Sequence, residues 1–150
     1  MEVIMEGLEI KKIALYSDDR GWLGELIRED ESGFRPAMTY LSMTNPGGAR
    51  GPHEHREQTD YFCFMGKFRV YLWDNRPSSP TYGESRIIDT DGKPIAVIVP
   101  PGIVHAYKNM DDRDGLVLNL PDKLYRGQNK SEPVDEIRYE DDPESGYFID

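Results

Sequence analysis

Short apolar runs separated by charged or glycine-containing turns repeat along most of the chain. Their branched and aromatic content is typical of β-strands, and no window of twelve or more residues keeps a helical apolar stripe. The predicted strands span residues 8–16, where one or two strands fit, and then 22–28, 37–43, 61–65, 68–73, 86–88, 96–99 and 116–120. Short strands with turn signals between them predict an all-β fold, either an antiparallel sandwich or a barrel.

One turn among these strands allows a more specific prediction. The runs 61–65 and 68–73 are separated only by Gly66 and Lys67. Glycine adopts the positive φ that tight turns need. We therefore expect these two strands to pair with each other as a hairpin around Gly66.

The length of 150 residues predicts a single domain over residues 1–150, because domains cluster at this size. No apolar run approaches the roughly 20 residues that a membrane span needs, and the first residues carry acid where a signal peptide carries base. We expect a cytoplasmic protein without a membrane partner. The only cysteine, Cys63, lies in an apolar run and is expected to be a packed, inert strand residue.

The net charge of −10 is concentrated near the C-terminal end. From about residue 131 there are eight acidic residues and one basic residue, which leaves a balance of only −3 for the rest of the chain. A nucleic-acid partner is not expected, because it would need a basic footprint. The acidic segment, above all residues 135–144, is expected to be a solvated flank or an interface arm.

All three histidines fall in two short motifs. His53 and His55 belong to Gly-Pro-His-Glu-His, and His105 ends Pro-Pro-Gly-Ile-Val-His. Imidazole exchanges protons near neutral pH and is also the commonest metal ligand. His53 and His55 point the same way because side chains alternate along a strand. With His105 they form a candidate metal site, in which Asp60 or Glu57 would be a fourth ligand.

These motifs resemble the two signature motifs of the cupin superfamily. The second matches at every fixed position of Pro-x-Gly-x-x-His-x-x-x-Asn, whereas the first has Asp60 near the place where cupins usually carry glutamate. A narrower resemblance, to the dTDP-4-dehydrorhamnose 3,5-epimerase family, covers about residues 17–125. It rests on Arg-Gly-x-His at 50–53 together with Ser-Pro-Thr-Tyr-Gly at 79–83. The resemblance implies a cupin jelly-roll β-barrel, a nucleotide-linked 4-keto sugar as substrate, and no metal or other cofactor.

The resemblance also implies roles for individual residues. His53 inherits the general base, and Tyr125 is the best match for the acid on the opposite face of the sugar. Two of the matched arginines are expected at the mouth of the pocket, and the family implies homodimers that pack sheet on sheet, for which an apolar outer sheet face is needed. The residues predicted to bind substrate are Arg20, Glu25, Arg50, His55, Gln58, Asp60 and His105, with Arg20 and Arg50 at the mouth.

The chemistry of this reaction suits these residue types. A C–H beside a ketone is acidified because the charge left behind spreads into an enolate, and a neutral imidazole with a pKa near 6.5 suits removal of that proton at pH 7. Inversion needs a second donor across the ring, which a phenol can supply. We therefore predict an isomerase that epimerises a nucleotide-activated 4-keto-6-deoxysugar in deoxysugar or cell-surface polysaccharide biosynthesis.

Three departures from the epimerase pattern leave alternatives open. The lysine that the family places after the glutamine is absent, His55 gives a His-x-His more like sugar-nucleotide 3,4-ketoisomerases, and no C-terminal aspartate partner for the catalytic histidine is evident. The alternatives are a 3,4-ketoisomerase, a metal-binding cupin (a dioxygenase or small-molecule isomerase) using the three histidines, and a sugar-binding cupin without catalysis. We expect at least two of the three imidazoles to be neutral at pH 7, since like charges in one pocket disfavour each other.

Overall fold

The computed structural model describes residues 5–150 and is built almost entirely of strands. The strands are β1 (Glu9–Lys12), β2 (Leu15–Asp18), β3 (Gly21–Gly24), β4 (Tyr40–Thr44), β5 (Ala49–Glu54), β6 (Asp60–Met65), β7 (Phe68–Asp74), β8 (Ser85–Asp89), β9 (Ile95–Val99), β10 (Ile103–Asn109), β11 (Gly115–Asn119) and β12 (Ile137–Arg138). Two short 3-10 helices lie at Gln128–Lys130 and Tyr139–Asp141. The prediction of an all-β fold is confirmed. In the part of the chain that is described, no helix has the length and apolar character needed to cross a membrane.

Two five-stranded antiparallel sheets enclose the core. The first has the order β1-β9-β6-β11-β4 and the second the order β12-β5-β10-β7-β8, while β2 and β3 pair only with each other. The chain passes from one sheet to the other several times, as it does between β5, β6 and β7. Sheets packed in this way bury the inward-facing residues of both.

The core between the sheets is aromatic. Phe62 and Phe64 from β6, Phe68 from β7 and Tyr107 from β10 are all at most 6% exposed. Their ring centroids lie 5.3–5.9 Å from their neighbours, the spacing of favourable tilted and edge-to-face pairs. This cluster ties the two sheets together beside the strands that carry the histidines.

A second apolar layer covers part of the outer face of the first sheet. Leu26, Ile27 and Phe34 pack there against a cluster that includes Tyr61 and Cys63. β6 is therefore apolar on both faces. Burial raises the pKa of the Cys63 thiol to about 12, which keeps it protonated and confirms the prediction of a packed thiol.

The predicted hairpin around Gly66 is wrong. β6 pairs with β9 and β11 in the first sheet, whereas β7 pairs with β8 and β10 in the second. The short link fits a hairpin by its length, but both edges of β6 are already occupied by other strands. Thr90 holds Gly66 as a corner between the sheets, because its hydroxyl donates to the Gly66 carbonyl at 2.8 Å and accepts from the Phe68 amide at 2.9 Å.

The Ser-Pro-Thr-Tyr-Gly motif has a structural role at the end of β7. The Asp74 carboxylate is buried there and pairs with Arg76 at 2.8 Å. It also accepts hydrogen bonds from the hydroxyls of Ser79 and Thr81, at 2.7 and 2.6 Å. The motif thus closes the connection from β7 to β8.

Two apolar surfaces of the described chain are exposed. Across β4 and β11, Leu41, Met43 and Leu116 are 61%, 47% and 42% exposed, and Leu116 lies directly opposite Met43. In the β2–β3 hairpin, Trp22 and Leu23 are 59% and 61% exposed. An isolated two-stranded hairpin is marginally stable in water, so this one needs apolar cover.

The acidic C-terminal segment does not stand apart as a solvated flank. We call residues 133–150 the C-terminal strap. Its strand β12 pairs with β5, with Ile137 opposite Glu54 and Arg138 opposite His53. The strap therefore lies along the edge of the second sheet, against the strand that carries the first histidine motif.

Candidate active site

Two paired strands bring the histidines together. His105 on β10 lies directly opposite His53 on β5, and His55 follows the end of β5. Gly51 permits this close pairing, because its φ is +89° and a Cβ there would lie 2.5 Å from the His105 carbonyl oxygen. The ring centroids of His53 and His105 are 4.6 Å apart, and that of His55 lies 5.9 and 5.5 Å from them. The three imidazoles therefore form one cluster.

Asp60, at the start of β6, joins two of the histidines. Its Oδ2 atom lies 2.9 Å from His55 Nε2 and 3.2 Å from His105 Nε2. Its Oδ1 atom accepts hydrogen bonds from the side-chain amides of Gln58 and Asn119, at 2.7 and 2.9 Å. This carboxylate is only 1% exposed, and its four polar neighbours provide the pairing that a buried charge requires.

Backbone carbonyls determine the tautomers of His55 and His105. The Nδ1 atom of His55 lies 2.5 Å from the Asp135 carbonyl oxygen, and that of His105 lies 3.0 Å from the Ile103 carbonyl oxygen. A carbonyl oxygen can only accept, so both Nδ1 atoms carry hydrogen. Both Nε2 atoms then face Asp60. At least one of them carries a proton, because an unprotonated nitrogen would direct its lone pair at the carboxylate.

His53 has a different environment. Its buried Nδ1 atom, like Nε2 of His105, has no hydrogen-bond partner among residues 5–150. The nearest carboxylate oxygens belong to Glu136 and Glu140 of the strap, at 3.5 and 3.6 Å. No C-terminal aspartate partner for His53 was evident in the sequence. These two glutamates stand where such a partner would lie.

The environments of His53 and His55 shift their pKa values in opposite directions. Burial, followed by the nearby imidazoles of His105 and His55, lowers the pKa of His53 to about 2. Burial also acts to lower the pKa of His55, but the hydrogen bond and attraction to Asp60 outweigh it and raise that pKa to about 9. Burial alone would raise the pKa of Asp60, yet the nearby imidazoles of His105 and His55 hold it well below its usual range. At pH 7 a neutral His53 therefore stands beside a His55–Asp60 ion pair.

A cleft of about 1100 Å³ opens next to this cluster, of a size suited to a small-molecule ligand. Its walls include His55, Gln58 and Tyr125, and the strap contributes Glu136. Tyr125 is 53% exposed there. Among the described residues that line the cleft, His55 is the only histidine, and His53 and His105 do not line it.

The structure does not bring all of the predicted site residues to this cleft. Arg20 lies at the tip of the β2–β3 hairpin with its side chain 90% exposed, and Glu25 pairs with Arg28 at 3.5 Å. Arg50 donates to the Met43 carbonyl at 3.0 Å. Arg20, Glu25 and Arg50 do not line the cleft of the described single chain. The two arginines, which were expected at its mouth, lie elsewhere in this chain. The order of turns along a sequence does not say which end of a barrel each turn reaches.

Several polar residues of the site belong to no sequence motif. The Asp135 carboxylate accepts hydrogen bonds from the backbone amides of residues 56, 57 and 58, at 2.8–3.1 Å. Glu136 and Glu140 approach His53, and Asn119 holds Asp60. For Asn119 a signal was present, because a polar residue inside an apolar strand needs a buried partner. In the sequence, the acidic residues of the strap appear only as a local excess of negative charge, which usually indicates a solvated surface.

The three histidines also have features of a metal site. One ligand atom from each of His53, His55 and His105 lies within 4.8 Å of the others. Donation of Nδ1–H to a backbone carbonyl, seen in two of them, is the second contact that metal-ligating histidines commonly make. A metal held by these residues would displace the proton between His55 and Asp60, so its affinity would rise with pH.

Known proteins resemble this chain over most of its length. The family described as "FdtA: WxcM-like, C-terminal" matches residues 6–132. The chain belongs to this family. The matched region contains the three histidines, Asp60 and Tyr125, whereas the whole strap lies beyond its end. The resemblance to sugar-nucleotide epimerases and ketoisomerases is confirmed.

Relatives of this FdtA-family chain support the same conclusion. The probable low-salt glycan biosynthesis epimerase Agl13 of Haloferax volcanii is 34% identical over 130 residues, which cover 83% of each chain. The spore coat polysaccharide biosynthesis protein SpsL of Bacillus subtilis is 32% identical over 108 residues, 70% of this chain and 72% of SpsL. The crystal structure of a dTDP sugar isomerase from Desulfovibrio desulfuricans G20 superposes with a TM-score of 0.78 at 21% identity, covering 95% of this chain and 87% of that one. The predicted jelly-roll fold is confirmed.

Proposed function

We propose that this FdtA-family protein is a sugar-nucleotide isomerase that epimerises a dTDP-linked 4-keto-6-deoxysugar. A neutral, half-buried His53 beside a protonated His55, next to a cleft of small-molecule size, carries this proposal. Two titratable groups whose pKa values are pushed apart form an acid–base pair. The names of Agl13, SpsL and the dTDP sugar isomerase support the substrate class and a role in glycan or polysaccharide biosynthesis.

In this proposal His53 is the general base. Its imidazole removes the proton from the carbon beside the ketone, a contribution of about 10²- to 10⁴-fold in rate. Burial and the other two imidazoles act against the positive charge that forms on the ring, whereas the negative charge of Asp60 favours it.

The electron pair left by the proton spreads into the enolate, whose oxygen needs a donor or a cation. The lysine expected there is absent, and the protonated His55 supplies positive charge on the wall of the cleft. One well-placed donor is worth roughly 3 kcal/mol in a site that excludes water. Asp60 is the residue that keeps this charge on His55.

Inversion requires a proton from the opposite face, and Tyr125 is proposed as its donor. The phenol lines the same cleft as His55 and is half exposed. Gln58, which lines the cleft and donates to Asp60, is proposed to contact the sugar. Arg50 and Arg20 are proposed to hold the diphosphate, for which the bidentate geometry of a guanidinium is suited.

A 3,4-ketoisomerase is the second candidate. The observation that favours it is the pair of imidazoles on one side of the cluster, with ring centroids 5.9 Å apart. A shift of the keto group from C4 to C3 removes the proton from C3 and delivers one to C4, while the C3 hydroxyl loses its proton and the former keto oxygen gains one. Two imidazoles with opposite protonation are suited to that exchange.

Solvent isotope exchange tests both candidates. The protein is incubated in D₂O with a dTDP-linked 4-keto-6-deoxysugar, and the sugar protons are followed by NMR. Loss of the proton at C3 or C5 with inversion supports the epimerase, whereas a 3-keto product supports the ketoisomerase. Binding of the sugar by metal-free protein without any exchange would indicate a sugar-binding cupin without catalysis. Activity that depends on a bound metal would favour the metal-binding cupin.

We further propose a homodimer that acts in the cytoplasm. The exposed Leu41, Met43 and Leu116 supply the apolar outer sheet face that sheet-on-sheet packing needs. The uncovered β2–β3 hairpin also needs a partner, and in a dimer it would carry Arg20 away from its own barrel. Sedimentation equilibrium measures the assembly, and a Leu116→Lys variant is expected to shift it towards the monomer.

A further inference from the structure

The strap is attached to the barrel by contacts that lie at the surface. None of residues 133–150 is buried, and β12 pairs with β5 over only two positions at the edge of the sheet. Beyond these, the contacts include the Asp135 carboxylate on three amides, the Tyr139 hydroxyl on Glu54, and the Tyr71 hydroxyl on Asp150. Segments with few buried apolar contacts open at low free energy. The strap is thus the part of the site that can move without disturbing the core.

The strap nevertheless contacts His55, the histidine that lines the cleft. The carbonyl oxygen of Asp135 accepts the Nδ1–H of His55, and the other nitrogen of His55 faces Asp60. Asp60 is buried and held by Gln58 and Asn119, so that second contact is fixed. Nδ1–H is therefore the donor of His55 that movement of the strap would release.

A carbonyl oxygen is also what a keto sugar would present to this donor. Asp135 and His55 both line the cleft, so the hydrogen bond between them lies at its wall. Only one carbonyl oxygen can lie in line with this N–H at hydrogen-bond distance. The backbone carbonyl and the substrate's keto oxygen would therefore compete for the same hydrogen.

Charge adds to this competition. The strap places Glu136 and Glu140 beside His53, and it carries Asp135 at the wall of the cleft. A nucleotide diphosphate is an anion and is disfavoured next to these acids, since like charges repel. Both steric overlap and charge act against simultaneous occupation of the site by the closed strap and the substrate.

We propose that the Nδ1–H of His55 is the donor to the substrate's keto oxygen, and that the Asp135 carbonyl occupies this donor until the substrate displaces the strap. This inference rests on the proposed function and adds to it a role for His55 and for a segment beyond the family match. Displacement also gives the substrate access to His53, which the strap covers. The bound state then differs from the closed state by one exchanged hydrogen bond at His55.

A variant that loosens the strap tests this proposal in the full chain. Asp135→Ala removes the contacts to the amides of residues 56–58, and Tyr139→Phe removes the contact to Glu54. The double variant is expected to bind a dTDP-linked 4-keto-6-deoxysugar about fivefold or more tightly than the wild type, because closed molecules no longer reduce the apparent affinity. Affinity for dTDP alone, which has no keto oxygen, is expected to rise less. Asp114→Ala with Tyr16→Phe, at exposed positions outside the strap, is the matched control.

Three results of the titration have distinct meanings. Equal affinities of the loosened variant and the wild type for the keto sugar would overturn the strap proposal and leave the proposed function standing. An equal gain for dTDP and for the keto sugar would overturn competition by the carbonyl. If neither protein binds the keto sugar, the proposed function itself fails, and this inference with it.

Hydrogen–deuterium exchange gives a readout that needs no variant. The amides of residues 56–58 donate to the Asp135 carboxylate in the closed state. Addition of the keto sugar is expected to speed their exchange, because the strap leaves them. Slower exchange on binding would mean that the strap closes over the substrate, which contradicts the proposal.

A pair of His55 variants tests the donor directly. Asparagine places an amide N–H near the position of Nδ1, whereas glutamine places one near Nε2. His55→Asn is expected to retain at least tenfold more proton-exchange activity than His55→Gln at saturating substrate, with similar KM. The reverse order, or equal activity, would remove Nδ1–H from the reaction.

Discussion

The two sides of the histidine cluster differ in how they are held. On the barrel side, His105 and Asp60 are 2% and 1% exposed, and the Asp60 oxygens meet two imidazoles and two amides. On the strap side, His53 has an unpaired buried nitrogen, with carboxylates 3.5 and 3.6 Å away on a segment without a single buried residue. The first side is buried and surrounds its carboxylate with polar groups, although Nε2 of His105 has no hydrogen-bond partner among residues 5–150. The second side is superficial.

This difference indicates a division of labour within one pocket. A paired, buried network keeps a proton on His55 and makes the barrel depend on that charge. An unsatisfied buried nitrogen costs about 1–3 kcal/mol, and such a cost is tolerated mainly where function needs it. The barrel side is expected to govern stability, and the strap side to govern access and proton transfer.

Removal of Asp60 should break the barrel side with the largest effect. Asp60→Ala leaves the charge of His55 buried without its partner, and loss of one member of a buried pair costs about 3–5 kcal/mol. Chemical denaturation measures the free energy of unfolding. Asp89→Ala, which breaks the exposed pair with Arg69, is the control and should be nearly neutral. Similar losses in both variants would contradict the central role of Asp60.

Replacement of His53 should break the strap side without breaking the fold. His53→Asn is expected to lower proton exchange at the sugar carbon at least about 100-fold while leaving nucleotide affinity nearly intact. Isotope exchange and calorimetry measure the two effects. Tyr125→Phe provides the contrast, because it should permit exchange at one face but block inversion. Release of a stoichiometric metal by His53→Asn, with exchange retained, would replace the epimerase with the metal cupin.

Arg50 tests a contact that lies outside both sides of the cluster. Arg50→Ala is expected to weaken nucleotide binding by about 1.5–3 kcal/mol, the value of a charge-assisted hydrogen bond. Calorimetry with dTDP measures the loss, and Arg113→Ala, at a side chain 86% exposed, is the control. An unchanged affinity would remove Arg50 from the binding site.

The pH dependence of stability should distinguish His53 from His55, and this is the smallest of the expected effects. The pKa of His53 is lowered to about 2 in the folded protein, so the unfolded chain binds more protons below about 6.5, and stability falls by about 1–2 kcal/mol between pH 7 and 5.5. The pKa of His55 is raised to about 9, so its contribution is complete below about 6.5 and is lost as pH rises through 9. Thermal unfolding from pH 5 to 10 measures both limbs. His53→Asn should flatten the acid limb alone.

Much of the fold was predictable because it depends on local pattern. The short apolar runs ended at turns close to the observed strand ends, as at Ala96–Val99 within β9 and Leu116–Asn119 within β11. The corner at Gly66 was not predictable in this way, because a two-residue link is compatible with either a hairpin or a passage between sheets. The choice depends on β9 and β11, which pair with β6 from distant parts of the sequence.

The sequence by itself determined the all-β class, the two histidine motifs and the family, because strand periodicity and motif spacing are local properties of the chain. Only the tertiary structure decided which carboxylates meet which imidazoles. Asp60 reaches His105 across 45 positions, and Glu136 reaches His53 across 83. Contacts over such separations are set by strand order and register. The opposite pKa shifts of His53 and His55 follow from those contacts and from burial, so two histidines that are alike in the motif differ in their protonation only in the folded barrel.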